Sequence, residues 1–147
     1  MLDVYKIRED FPILGKKVNN TDLIYFDNAA TSQTPNQVID VISDYYKQYN
    51  SNIHRGLHSL SADATNKYEN SRTIIKNHFG ASHEHEIIFT SGTTHGINII
   101  SSGLEKLISS KDELIVSEME HHSNIVPWQM LCEKTGSKLK VIPINDD

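Results

Sequence analysis

Cysteine, tryptophan and basic clusters are scarce in this 147-residue sequence, which has one cysteine, one tryptophan and four prolines. The lone Cys132 excludes an intramolecular disulfide framework and a Cys-x-x-Cys metal knuckle, and a single thiol is typical of a reducing compartment. The 14 lysine and arginine residues form no dense block, which argues against a nucleic-acid partner. No apolar run approaches membrane-spanning length, and the charged start MLDVYKIREDF lacks the apolar core of a signal peptide. These absences predict a cytoplasmic protein with no membrane and no nucleic-acid partner.

What the sequence does contain is enough apolar residues, 37% of the chain at a net charge of −5, to bury one core. The spacing of these residues predicts a short helix that ends before Pro12 and a second helix after Pro35. A third helix is predicted from about Ser59 to His78, with Gly80 placed to end it in a left-handed conformation.

Short apolar runs predict strands at residues 24–26, 87–89, 114–116 and 139–142, and a helix is predicted over about residues 124–133. Strands that alternate with helices in the second half of the chain predict an α/β fold with a mostly parallel sheet. Ligands of such sheets lie beyond the carboxyl ends of the strands. The loops that begin at Ser91 and Ser117 are therefore the places to expect a site.

The run Phe89-Thr90-Ser91-Gly92-Thr93-Thr94 joins a predicted strand to a predicted helix. Gly92 permits a tight turn, and the helix then begins with two hydroxyl residues. The free N–H groups and the positive dipole end of a helix N-terminus, with two hydroxyl donors beside them, form a cradle for an anion such as phosphate. A threonine that merely caps the helix agrees equally well with this segment. A P-loop is excluded because no Gly-Lys-Ser/Thr follows.

The run Glu120-His121-His122-Ser123-Asn124 follows the next predicted core strand. Adjacent histidines at this place can transfer protons, bind a metal or stack on a ligand, or one of them can simply be solvated. Zinc needs three or four converging ligands, and the other histidine candidates lie in quite different segments, so no metal site is predicted.

Two further segments carry weaker signals. In NIHRGLH, residues 52–58, Arg55 can bind a carboxylate or phosphate through two parallel hydrogen bonds, but a loop that ties two helices together explains the segment as well. In YFDNAAT, residues 25–31, the small Ala29 and Ala30 would let a ligand approach the backbone, whereas Asp27 and Thr31 can equally form a turn.

Together and in this order, these segments resemble the N-terminal part of a SufS-type cysteine desulfurase, in the class V aminotransferase group of pyridoxal 5'-phosphate (PLP) enzymes. YFDNAATSQTP resembles that family's YLDNAATSQKP, NIHRGLHSLSADAT resembles N-V-HRG-x-HTLS, and IIFTSGTTHGIN resembles IIFTRGTTEGIN. The run SEMEHHSNIVPWQMLCEKTGSKLKVIPIN is similar almost residue for residue. The resemblance implies the fold type I of PLP-dependent transferases. Residues 21–147 would be an incomplete large PLP-binding domain, and residues 1–20 a segment that packs with a small domain missing from this chain.

The same resemblance implies roles for the cofactor residues. Thr93 and Thr94 match positions that hold the cofactor phosphate, in agreement with the anion cradle. His121 matches the histidine that stacks on the pyridine ring and assists proton transfer, and His122 is the weaker candidate of the pair.

For the substrate, Ala29 and Ala30 match small residues beside it, and His54 and Arg55 match a segment near the active-site entrance and the dimer interface. The implied reaction converts L-cysteine to L-alanine and leaves the sulfur as a persulfide on an enzyme cysteine, for iron–sulfur cluster assembly. The implied partners are a second copy in a homodimer and a sulfur acceptor of SufE or SufU type.

The family's PLP-binding lysine and persulfide cysteine lie downstream of the matched regions, and Cys132 matches a non-catalytic position. The 147-residue chain alone is therefore expected to be inactive, and poorly soluble because its apolar faces would lack their cover. The nearest alternatives are a selenocysteine lyase or a kynureninase-like member of the same group. A noncatalytic phosphate-binding domain is the alternative from a different class.

Two positions depart from the family pattern. Ser91 stands where the family usually has arginine, and His95 where it usually has glutamate. Because one charge of each sign is lost together, we expect that an arginine–glutamate interaction has been replaced and that phosphate binding is retained.

Overall fold

A computed structural model describes residues 2–145 of the chain. The chain divides into two compact units, one up to Glu86 and the other from Ile87 onward, and each is described by itself. The first unit holds the segments with Ala29 and Arg55, and the second holds the segments with the paired threonines and the paired histidines.

The first unit is mainly helical, with one small hairpin. Its elements are α1 (Val4–Glu9), a 3-10 turn (Pro12–Gly15), β1 (Lys17–Val18), β2 (Thr21–Asp22), α2 (Asn36–Asp44), a π-helical turn (Tyr45–Tyr49), α3 (Ser59–Phe79) and a 3-10 turn (Glu84–Glu86).

The three helices predicted for this unit are confirmed. They were predictable because each has a local signal at one of its ends. The carboxylate of Asp3 caps α1 by accepting a hydrogen bond from the N–H of Lys6 at 3.1 Å. Helix α2 follows Pro35 directly. Helix α3 ends at Gly80, whose φ of 69° lies in the left-handed region that glycine tolerates best.

The strand predicted at residues 24–26 is wrong. The hairpin of β1 and β2 pairs Val18 with Thr21, and the backbone hydrogen bonds continue only as far as the N–H of Leu23 to the carbonyl of Lys16, at 3.1 Å. Beyond that point Ile24 and Phe26 are 76% and 93% exposed. Apolar and β-branched residues form a strand only where a neighbouring strand supplies a ladder and a surface to pack on, and that information is not local.

The second unit alternates helices and strands. Its elements are α4 (Thr93–Leu104), β3 (Glu113–Ser117), a 3-10 turn (His122–Asn124), α5 (Val126–Thr135) and β4 (Lys138–Ile142). Strands β3 and β4 pair in parallel, with Val116 opposite Val141, and α5 is the crossover between them. Val116, Leu131 and Cys132 are buried, and the hydroxyl of Ser101 on α4 donates to the carbonyl of Pro127 at 2.9 Å.

The predicted parallel sheet is confirmed in β3 and β4, and the α/β class with it. The strand predicted at residues 87–89 is wrong, since the two-stranded sheet does not include it and Ile88 is 67% exposed. The division between residues 1–20 and 21–147 stays a prediction. Within residues 2–145, no helix combines the length and the apolar character needed to cross a bilayer.

Candidate functional site

The first turn of α4 presents the two threonines predicted to bind an anion. Thr93 and Thr94 begin the helix and are exposed. Gly92 precedes them with a φ of 145°, and no side chain caps the helix at this glycine. The first N–H groups of a helix have no partner within it, so they and the two hydroxyls form a donor set suited to a phosphate dianion. These residues therefore suit the phosphate of PLP.

The two residues that depart from the family pattern contact each other at the start of α4. The N–H of Ser91 donates to Nδ1 of His95 at 3.2 Å, and the hydroxyl of Ser91 lies 3.1 Å from the same nitrogen. Because Nδ1 accepts from a backbone N–H, the neutral ring carries its proton on Nε2. The side chain of His95 thereby closes the turn that precedes Thr93.

The second predicted feature, the loop with His121, follows the carboxyl end of β3. His121 precedes a 3-10 turn and is exposed. Its Nδ1 accepts the N–H of Ser123 at 3.2 Å and lies 2.9 Å from the Ser123 hydroxyl. The ring of His122 lies edge to face with that of His121, with centroids 6.2 Å apart. Ser123 thus fixes the orientation of the His121 ring and leaves Nε2–H as a donor.

Both features lie in the second unit. Helix α4, which Thr93 and Thr94 begin, packs against the 3-10 turn His122–Asn124 that follows His121. The phosphate cradle and the exposed imidazole therefore belong to one folded body.

Glu120 and Asn124 are functional candidates that the sequence reasoning did not single out. The carboxylate of Glu120 accepts from the Ser117 hydroxyl at 2.8 Å and from the Asn124 amide at 2.7 Å. These two hydrogen bonds, that from Asn124 first, hold the pKa of Glu120 below its usual value. The spacing of Glu120, Asn124 and Trp128 by four residues was the available signal, because such residues meet on one side of a helical turn.

In the first unit, His54 is held in an unusual backbone conformation. Its φ is 67°, and the N–H of Arg55 donates to the carbonyl of Ile53 at 2.9 Å, which closes a three-residue turn around it. Two residues of α3 support the turn. The hydroxyl of Thr65 accepts the N–H of His54 at 2.9 Å, and a carboxylate oxygen of Glu69 lies 3.3 Å from Nε2 of His54.

A second anchor of the same loop is Ser61, which is only 1% exposed. Its hydroxyl donates to the carbonyl of Asn52 at 2.7 Å and accepts the N–H of Gly56 at 3.1 Å. A Cβ added at Gly56 would collide with the side chain of Ser61. The residues of NIHRGLHSLSADAT therefore bind mainly to one another, which supports the loop-tying interpretation and leaves Arg55 exposed on an ordered loop.

Ala29 and Ala30 lie in a turn of the first unit and are exposed. The N–H of Ala30 donates to the carbonyl of Asp27 at 3.2 Å, and the hydroxyl of Tyr25 donates to the carbonyl of Thr31 at 2.6 Å. This confirms that Asp27 and Thr31 shape a turn. In the part of the chain that the structure describes, no three His, Cys, Asp or Glu side chains are grouped to hold a metal ion.

Known proteins are similar to this chain in sequence. The aminotransferase class-V family model matches residues 24–147. Probable cysteine desulfurases of Staphylococcus epidermidis and Staphylococcus aureus are 52% and 49% identical over 146 residues, and each alignment covers 99% of this chain and 35% of the relative. The chain thus spans about a third of the length of these curated relatives.

Two solved structures are similar to the chain. One is an apo cysteine desulfurase from Thermococcus onnurineus, with a TM-score of 0.86 and 40% identity, covering 99% of this chain and 35% of that one. The other is the cysteine desulfurase CsdA from Escherichia coli, with a TM-score of 0.76 and 30% identity, covering 99% of this chain and 36% of that one. The arrangement of helices and parallel strands is therefore one that these enzymes share.

Proposed function

The chain belongs to the aminotransferase class V family, and from this premise we propose that it forms part of a PLP-dependent cysteine desulfurase that converts L-cysteine to L-alanine and transfers the sulfur to an enzyme cysteine. The observation that carries the proposal is the packing of α4, with Thr93 and Thr94 at its start, against the turn that follows His121. A phosphate cradle alone would suit many ligands, whereas a cradle and an ordered imidazole within one folded unit suit a phosphorylated aromatic ring.

Different residues of the second unit would bind different parts of the cofactor. When bound, PLP supplies an electron sink for the negative charge that develops on the α-carbon of the substrate. Thr93 and Thr94 bind its phosphate through their hydroxyls and backbone N–H groups. His121 would stack on the ring and donate a hydrogen bond through Nε2–H, since its Nδ1 accepts the N–H of Ser123.

The residues of the first unit serve the substrate. Arg55 is exposed on a loop whose backbone is anchored to α3, and its guanidinium can bind a carboxylate through two parallel hydrogen bonds. His54 supports that loop, and the resemblance to the family is what suggests a role for both residues near the active-site entrance. Ala29 and Ala30 offer a turn without bulky side chains, against which a small amino acid can lie.

The finer assignments are also proposals. We place the protein in the SufS type, in the cytoplasm, as a homodimer that passes sulfur to an acceptor of SufE or SufU type for iron–sulfur cluster assembly. Residues 21–147 would belong to the large PLP-binding domain, and residues 1–20 would pack with a small domain. The resemblance of four segments, in order, supports these assignments.

The test is to mix PLP with the complete protein encoded by the reading frame that carries this sequence. A visible absorption band that borohydride fixes should appear, and L-cysteine should yield alanine and sulfur. The variant Thr94→Val should weaken PLP binding by about tenfold, because a hydrogen bond to a charged group contributes about 1.5–3 kcal/mol. The control Thr73→Val loses only a hydroxyl that donates to the carbonyl of Glu69 within α3, and should bind PLP normally.

The result also separates the alternatives. Absence of the absorption band would contradict the enzyme proposal and favour a noncatalytic phosphate-binding domain. A band with cleavage of selenocysteine or kynurenine, but no sulfur release from cysteine, would identify one of the sibling reactions instead.

A further inference from the structure

Glu120 lies in the middle of a row of side-chain hydrogen bonds that leads from the end of β3 into α5. One carboxylate oxygen accepts from the Ser117 hydroxyl at 2.8 Å, and the other accepts from the Asn124 side-chain amide at 2.7 Å. The Asn124 side-chain oxygen in turn accepts the indole N–H of Trp128 at 2.9 Å. The carboxylate therefore bridges residues that precede and follow His121 in the chain. We call this bridge the Glu120 clamp.

The backbone of His121 is fixed from both sides of this clamp. The carbonyl of His121 accepts the N–H of Asn124 at 2.7 Å, and Asn124 is the residue whose side chain Glu120 holds. On the other side, the N–H of Glu120 donates to the carbonyl of Ser117 at 3.4 Å. The imidazole itself is exposed and contacts Ser123. A change in the clamp would thus move the loop while leaving the ring's own hydrogen bonds available.

We propose that Glu120 is a positioning residue whose carboxylate, by binding Ser117 and Asn124 at once, holds the His121 loop in the conformation that presents the imidazole to its ligand. The identity of that ligand rests on the proposed function, whereas the clamp is a property of the loop itself. Hydrogen bonds to a charged acceptor are about twice as strong as those between neutral groups. Catalysis is sensitive to the position of the reacting groups, since a displacement of about 1 Å can lower a rate by about a hundredfold.

The Glu120 clamp depends on the ionised form of Glu120. The hydrogen bonds from Asn124 and Ser117 lower the pKa of Glu120, so its charged form is the one favoured in the folded protein. A carboxyl group with a lowered pKa contributes stability above its unfolded pKa and loses it as the pH falls through the folded value. The clamp is therefore fully formed at neutral pH.

A purely structural role for Glu120 has a different signature. An acidic side chain just before a helix also stabilises the helix through its dipole, and that effect does not involve His121. The two roles differ in what happens when His121 is already absent. Only a positioning residue loses its influence on the reaction in that background.

The first experiment measures the loop without PLP, by hydrogen exchange and mass spectrometry of peptides spanning residues 117–128 in the complete protein. Glu120→Ala removes both acceptor oxygens, Glu120→Gln keeps one of them without the charge, and Glu133→Gln removes a charge from an exposed site on α5. We expect about tenfold faster exchange in this segment for Glu120→Ala, corresponding to about 1.4 kcal/mol of lost protection. Glu120→Gln should lie between it and the wild type, and Glu133→Gln should match the wild type.

The second experiment measures alanine formation from L-cysteine by the PLP-loaded complete protein. Glu120→Ala should lower kcat by about tenfold or more and change KM by less than about twofold, because binding is retained while proton transfer is misaligned. Added to His121→Ala, the substitution Glu120→Ala should lower kcat no further.

Each outcome decides the proposal. Faster exchange together with a non-additive loss of kcat supports it, and if Glu120→Ala fails to fold, the intermediate behaviour of Glu120→Gln carries the same test. Unchanged exchange in either Glu120 variant overturns it, as does an additive loss in the His121→Ala background. If the complete protein neither binds PLP nor forms alanine, the proposed function fails, and the exchange result still decides whether Glu120 holds the loop.

Discussion

Two hydrogen-bonding groups of Ser91 converge on Nδ1 of His95, one turn later in the chain. At helix N-termini a glutamate in the third position commonly accepts a backbone N–H in this way. A neutral imidazole can do the same with its unprotonated nitrogen. His95 therefore closes the turn without the charge that a glutamate would bring.

This contact makes the departure of Ser91 and His95 from the family pattern testable. In the complete protein, the double variant Ser91→Arg with His95→Glu should change PLP affinity by less than about threefold, or less than 1 kcal/mol. The reason is that either pair closes the turn, while the donors at Thr93 and Thr94 stay in place. A titration of PLP followed by its absorption band measures this. A much larger change would mean that residues 91 and 95 act on the phosphate themselves.

How far single residues could be predicted depends on how local their signal was. Thr93 was predicted from a glycine turn before a helix and His121 from the end of β3, and both lie in the second unit, although the strand predicted before Thr93 is absent. The spacing of Glu120, Asn124 and Trp128 by four residues pointed to one partner of Glu120, whereas its hydrogen bond with Ser117 gave no periodic signal. The contact between His54 and Glu69 was equally hidden, since 14 residues of loop and helix separate them along the chain.

The loop of residues 52–58 is anchored to α3 by side-chain hydrogen bonds. Ser61 and Thr65 on the first turns of α3 bind the backbone of Asn52, His54 and Gly56. Hydrogen bonds from a buried hydroxyl to loop backbone fix that backbone relative to the helix. The position of Arg55 is therefore set by α3.

This packing leaves no room for a methyl group at Gly56. In the complete protein, Gly56→Ala should destabilise by about 1–3 kcal/mol, because its Cβ would collide with Ser61. The matched control is Gly103→Ala in α4, where a Cβ meets nothing within 4 Å. That substitution should stabilise by about 0.5–1 kcal/mol, since alanine is the better helix former. Denaturant unfolding measures the stability of both variants. Equal effects at the two glycines would contradict the interpretation that Ser61 anchors the loop.

Helices were predicted well from the sequence and strands less well, for a physical reason. A helix carries its hydrogen bonds, its caps and its apolar stripe within one segment, as α3 does up to Gly80. A strand exists only with a partner. The runs at residues 114–116 and 139–142 pair with each other on either side of α5 in the sequence, whereas the structure has no strand at residues 24–26 or 87–89.

For the whole molecule, the exposed surface is unusually large. The chain exposes 12009 Å² at a mass of 16.7 kDa. A compact domain of this mass exposes about 7,600 Å², and two separate domains the size of the two units would expose about 9,200 Å². The excess includes large apolar side chains, among them Tyr5, Ile24, Phe26, Leu57, Phe79 and Met119. Such surface favours association, so poor solubility of the isolated chain stays our expectation.

The same scale yields a prediction about activity. The purified 147-residue chain, supplied with PLP and L-cysteine, should release no alanine or sulfide above the rate of free PLP. Its one thiol, Cys132, is 9% exposed within α5, and a sulfur acceptor must be an accessible thiolate. Assays of both products measure this, with the complete protein as the active control. Release by the chain alone would contradict the requirement for a cysteine elsewhere.

The burial of Cys132 has a practical consequence for studies of folding. Because Cys132 is buried and is the sole thiol of the chain, a labelling reagent reacts with it rapidly only when α5 opens locally. The rate of modification, divided by that of an unfolded peptide, therefore gives the opening equilibrium of the second unit directly. The reactivity of this thiol therefore reports on opening without an engineered probe.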